Sequence, residues 1–139
     1  MNRRIFTIVI IVAIFTVVVV LFNNQNVKSD VDSVHQELIY AANTSQSLWA
    51  RPQMMGGAGR DFTNLDEKQI LQEAFRRTDG FEAHNDYISN DTGIYMVEII
   101  SATEIILKGV TKNQQHEVKM RVKRNNETEE WEIESCSNQ

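Results

Sequence analysis

One cysteine, one proline and a long stretch with no charge set the outer limits on what this 139-residue chain can be. Cys136 has no second thiol to pair with, so the fold stands without an intrachain disulfide whichever compartment holds it. Pro52 is the single proline and no glycine precedes Gly56, so nothing ahead of Pro52 tells a helix to stop. Arg3 and Arg4 are the only charges before Lys28, and everything after them holds 12 basic residues against 19 acidic ones. An acidic body argues against nucleic acid as a partner. His35, His84 and His116 fall on three different predicted elements without a metal-ligand spacing, and no Ser-His-Asp or Cys-His arrangement is suggested. The expectation is therefore a chain that is no enzyme and holds neither cofactor nor metal.

What the sequence does contain is an apolar run. Ile5 to Phe22 reads IFTIVIIVAIFTVVVVLF, with Thr7 and Thr16 its only polar residues. Eighteen residues make roughly 27 Å of helix, close to the roughly 30 Å of hydrocarbon that a spanning helix crosses. Burying about sixteen such side chains at ~1.5–3 kcal/mol each exceeds the ~5–15 kcal/mol net stability of a whole domain, so the segment belongs in lipid or in a helical bundle. Asn23-Asn24-Gln25-Asn26 follows it where a cleaved signal would show a small-x-small site, which predicts an uncleaved anchor. Arg3 and Arg4 on one flank, with Asp30 and Asp32 beyond the other, keep the N-terminus cytoplasmic and place the body outside.

Beyond the run, Val27, Val31, Val34, Leu38, Ala41, Ser45 and Leu48 are spaced alternately by four and three, which lays a largely apolar stripe on one face of a continuing helix. That stripe can pack on the chain's own sheet, form a seam between subunits, or do both on different faces. Arg51 precedes Pro52 and is pushed out of helical geometry, so the helix should end near Ala50. Residues 51–64, RPQMMGGAGRDFTN, read as a glycine-containing loop, without the strand and Lys-Ser/Thr context that a phosphate cradle needs. A short helix follows, with Asn64 and Glu67 at capping-box spacing, Leu71, Ala74 and Phe75 on its buried face, and Gly80 as its stop. Asp79, Glu82, Asp86, Asn90 and Asp91 form a polar loop that matches no regular calcium loop and reads as solvated.

The remainder alternates as half-buried strands do, over about 93–100, 103–110, 115–124 and 128–136, with short connections that make a meander. Val118, Met120 and Val122 alternate with Lys119, Arg121 and Lys123, while Trp131 and Ile133 alternate with Glu130, Glu132 and Glu134. The basic row should face the acidic row across the last hairpin. The expected fold is α+β: a long N-terminal helix over residues 1–50, apolar in its first half and amphipathic in its second, packed on a four-stranded antiparallel meander within residues 51–139.

This layout resembles the type IV pilins and the pseudopilins of type II secretion. The likeness covers nearly the whole chain and lies in architecture. Asn2-Arg3-Arg4-Ile5-Phe6-Thr7 shares with the family's processing signal its basic residues and a Phe-Thr pair, whereas no glycine precedes Phe6 and the first glutamate is Glu37. Trp49 to Phe62 is also similar to the helix-to-loop junction of some bacterial pilin-like proteins. The resemblance implies a structural subunit that waits in membrane lipid and then polymerises with copies of itself, through the N-terminal helix, into an extracellular or periplasmic filament. Its candidate assembly residues are Ile5, Ile8, Val12, Phe15, Val19, Phe22, Val27, Val31, Val34 and Leu38. The alternative is a monomeric, single-pass anchored ectodomain that binds a partner in an envelope complex. Both readings share one testable consequence: a reporter active only outside the cytoplasm, fused after Gln139, should be active, and activity of a cytoplasmic reporter instead would reverse the orientation.

Overall fold

A run of helix-compatible residues with no internal breaker folds as one α-helix, α1, over Arg3–Ala50. The computed structural model describes residues 3–75 and 80–136, and of residues 3–7 and 22–27 only the backbone. The chain divides into two compact units, Met1–Asp30 and Val31–Gln139, so the division falls inside α1 rather than at its end. In the second unit the helical stripe meets the core. Val34, Leu38, Ala41, Ser45 and Leu48 are all buried, and Val31 packs against the same cluster. Ser45, the one polar member, donates its hydroxyl to the Ala41 carbonyl at 2.7 Å, which removes the cost of burying it.

Pro52 ends α1, and the glycine loop then turns back to close it. The last helical carbonyls would otherwise lack donors. Arg51 N–H bonds the Ser47 carbonyl, Ala58 N–H that of Leu48 at 3.0 Å, and Arg60 N–H that of Trp49 at 2.7 Å. Gly57 is required by space: a Cβ there would lie 2.2 Å from the Arg51 carbonyl oxygen, a backbone atom with nowhere to go. Asn64 donates its side-chain amide to the Ala58 carbonyl and closes a 3-10 turn over Phe62–Asn64. It is therefore not the cap of the next helix, as its spacing to Glu67 suggested. α2, Glu67–Ala74, is capped two residues later by Asp66, whose carboxylate accepts from Gln69 N–H while the Gln69 side chain accepts from Asp66 N–H. Ile70, Leu71, Ala74 and Phe75 are buried, and Phe75 stacks at a tilt on Tyr95 with centroids 4.9 Å apart.

The sheet is an antiparallel meander of six strands in chain order: β1 Glu82–Ala83, β2 Ile88–Ser89, β3 Gly93–Ser101, β4 Glu104–Thr111, β5 Glu117–Arg124 and β6 Trp131–Cys136. The four strands read from alternation are β3 to β6. The count of four is corrected by β1 and β2, which at two residues each are too short to show a period of two and lie in what reads as a polar loop. Ile88 is their buried anchor. Side-chain acceptors shape the turns: Asn90 Oδ1 takes Thr92 N–H and Gly93 N–H, and Asn125 Oδ1 takes Glu127 N–H and Thr128 N–H.

The register of β5 and β6 sets Lys123 opposite Glu132 and Arg121 opposite Glu134, as the alternation implied. The last strand departs from expectation in burial. Trp131 is only partly buried and Ile133 is 40% exposed, because β6 is the sheet's edge and its burial fades along its length. Trp131 instead ties the edge to the end of α1, meeting Trp49 edge-on at 5.3 Å and Phe62 at 6.2 Å, with the Arg124 guanidinium 4.7 Å from the Trp49 ring centre. Trp49 also donates its indole N–H to the Ala102 carbonyl at 2.9 Å.

Val34 lies tight against the sheet at Gly109. A Cβ added at Gly109 would come 2.5 Å from Val34 Cγ1 and 3.2 Å from the Tyr95 ring. Gly109→Ala should therefore destabilise by ~1–3 kcal/mol as an overpacking change, read from the urea midpoint of tryptophan fluorescence. Val34→Ala made in the same molecule should recover part of that loss, and simple additivity of the two single changes would show that the contact is not the cause.

Candidate functional site

The one extended apolar surface among the described residues belongs to the first half of α1. Every side chain described from Ile8 to Leu21 is exposed, and its large apolar members are between 41 and 71% accessible. Ile8, Val12, Phe15 and Val19 follow each other at helical spacings of four, three and four, so they form one face. Ile10, Ile14, Val17 and Val18 are exposed as well, so the apolar surface goes round the whole helix instead of forming a stripe. A helix that is apolar all round requires an apolar environment. Its polar exception is satisfied internally: Thr16 Oγ1 donates to the Val12 carbonyl at 2.9 Å and offers surrounding groups no unsatisfied donor.

Among the described residues no helix is long and apolar enough to cross a membrane. The stretch whose side chains are described, Ile8–Leu21, spans roughly 21 Å, and the run in the sequence continues past both of its ends. Ile5, Phe22 and Val27 lie on the backbone of α1, and their side chains fall outside the described residues. Two of the candidate assembly residues, Val34 and Leu38, are fully buried in the chain's own core. Val31 is partly buried against the same core.

Other constellations resolve into structure. The glycine loop does not present its N–H groups to an anion: Gly56, Gly57 and Gly59 donate to the carbonyls of Gln53, Pro52 and Arg51. In the acidic loop Asp79 lies outside the described residues, Asn90 Oδ1 is committed to its turn, and no group of three His, Cys, Asp or Glu comes together among the described residues. His84 stacks on Tyr87 at 4.3 Å, and the His116 N–H donates to Thr111 Oγ1. Met54 is 98% exposed beside Met55 on the 3-10 turn Gln53–Met55, where loop residues carry no periodicity to reveal their facing.

Two ionisable groups are displaced by the packing of α1 on the sheet. Tyr95 is buried and its phenol is pushed up to about 12 by desolvation, partly offset by its hydroxyl bond with Thr92 and reinforced by the Glu37 charge. Burial raises the Glu37 carboxyl above its ordinary 4.5. Comparison with protein-family models, with curated proteins and with solved structures finds no match to this chain.

The Glu37 shift fixes a sign. Folded protein holds the Glu37 proton more tightly than unfolded protein, so its contribution favours folding at and below the ordinary 4.5 and is lost as pH rises through the elevated value. Glu37→Gln should remove that loss, so that the variant gains on the parent as pH rises from about 4 towards neutrality. Urea midpoints that keep a constant offset across this range would contradict it.

Proposed function

We propose that the chain is a structural subunit of a pilin-like filament outside the cytoplasm, held in lipid by Ile5–Phe22 before assembly and polymerised through that same segment. The supporting observation is the circumferential exposure of Ile8–Leu21 on a helix whose continuation, from Val34 to Leu48, forms the core with an antiparallel sheet. One face against a partner would satisfy a stripe. Exposure on every side fits a helix that has lipid, or several neighbouring helices, around it. The flanking Arg3 and Arg4, and the acidic balance of the body, favour export of residues 23–139. The resemblance to type IV pilins and pseudopilins, in the order long helix, glycine loop and meander, supports the same reading.

A second reading, the anchored monomeric ectodomain, draws support from Val34 and Leu38. Their burial takes both residues out of any seam between helices beyond the bilayer. Cysteine crosslinking separates the two. With Ile8→Cys and Val19→Cys together in a Cys136→Ser background, oxidation of intact cells should give ladders of three or more subunits, recovered in material sheared from the surface. Monomers and dimers confined to detergent-extracted membranes, with nothing in the sheared fraction, would overturn the filament and leave the anchored ectodomain.

A further inference from the structure

β6 ends the sheet. Among the described residues it is paired with β5 on one side and with nothing on the other, and it exposes every residue from Glu132 to Cys136. An edge of this kind offers a row of main-chain donors and acceptors to any strand that can lie beside it. Its side chains decide which strand that is. Glu132 and Glu134 stand on one face; Glu132 accepts from the Asn125 side-chain amide at 3.4 Å, and neither carboxylate has an ion-pair partner among the described residues. Of the β5 cations opposite them, Arg121 is drawn to Glu104 at 3.1 Å, and Lys123 stands across from Glu132 without closing an ion pair with it. On the other face Ile133 is 40% exposed beside the partly buried Trp131.

β5 already displays the kind of strand that β6 accepts. It sets Lys123 and Arg121 opposite Glu132 and Glu134, and Val122 opposite Ile133. A second copy of β6 does not fit this pattern, because antiparallel pairing of two such edges centred on Glu132, Ile133 or Glu134 places carboxylates against carboxylates. The acidic row thus blocks self-pairing and selects for the opposite charge.

We propose that β6 is a docking edge for an extended segment of another protein, one that alternates Lys or Arg on one face with large aliphatic residues on the other and adds as a seventh strand. The pairing is main-chain hydrogen bonding, with Glu132 and Glu134 choosing the partner and Ile133 covered by it. This interaction is independent of the apolar helix and holds whether the chain is filament subunit or anchored monomer.

The test uses the full-length protein in detergent and a labelled peptide with the sequence of residues 118–123, VKMRVK, followed by fluorescence anisotropy. Binding should saturate. A scrambled peptide of the same composition, and the same peptide N-methylated at alternate residues, should each bind about tenfold more weakly or worse. Glu132→Gln with Glu134→Gln should weaken the parent peptide to a similar degree, with the melting curve unchanged. If that variant fails to fold, the N-methylated peptide on unmodified protein still decides the matter. Equal binding of the scrambled and N-methylated peptides would reduce the effect to charge adsorption and overturn the proposal. So would a protein that dimerises through β6, or one that binds none of the peptides.

Discussion

Where the α1 stripe lies against β3 and β4, the strands carry glycine at the points of contact. Val34 sits over Gly109, a Cβ at Gly93 would meet another Val34 methyl at 3.4 Å, and the Tyr95 ring fills the space beside Gly109. Val34 and Leu38 are completely buried, at ~1.5–3 kcal/mol for each large side chain, and Phe75 and Phe81 lie on Tyr95. Burial also displaces two ionisations, those of Glu37 and Tyr95, through lost water. At the far end of the stripe the clasp formed by Gly57 to Arg60 and the Trp49–Trp131–Arg124 stack hold the helix terminus to the sheet edge.

The first half of α1 obeys a different constraint. Between Arg4 and Lys28 it has no glycine, no charge and no described side chain that is not exposed, so nothing described within its own unit supplies cover. Self-satisfied backbone bonds and the back-bonded Thr16 suit it to surroundings without water. Helical connectivity carries that apolar segment straight into the residues that build the core. The change from exposed apolar surface to buried stripe therefore falls within one element.

Charge on the body is distributed with similar economy. Lys108 and Lys119 are drawn to Glu117 and Arg121 to Glu104, in partly exposed pairs worth ~0–1 kcal/mol each. This leaves the carboxylates of β6 at an open edge, where they discourage association of like strands.

The sequence by itself determined the elements whose periods are long: the helix through to Ala50, its apolar and amphipathic halves, and four strands with the hairpin register of Lys123 and Glu132. Period and punctuation are local properties, and they can be counted. Only the tertiary structure decided which surfaces meet. Val34 and Leu38 looked equally fit for a neighbouring subunit, and both are core; at Val34 the absence of a side chain on Gly109 gives it room against the sheet. Ile133 alternated like a core residue and was left exposed, because β6 is the last strand and burial depends on what lies above a strand as well as on its own pattern. The cap moved from Asn64 to Asp66 because the Asn64 amide had a carbonyl to reach, at Ala58, that only the folded loop brings near. Spacing states what a residue could contact; the packing of distant segments selects among those contacts, because each side chain can be buried only once.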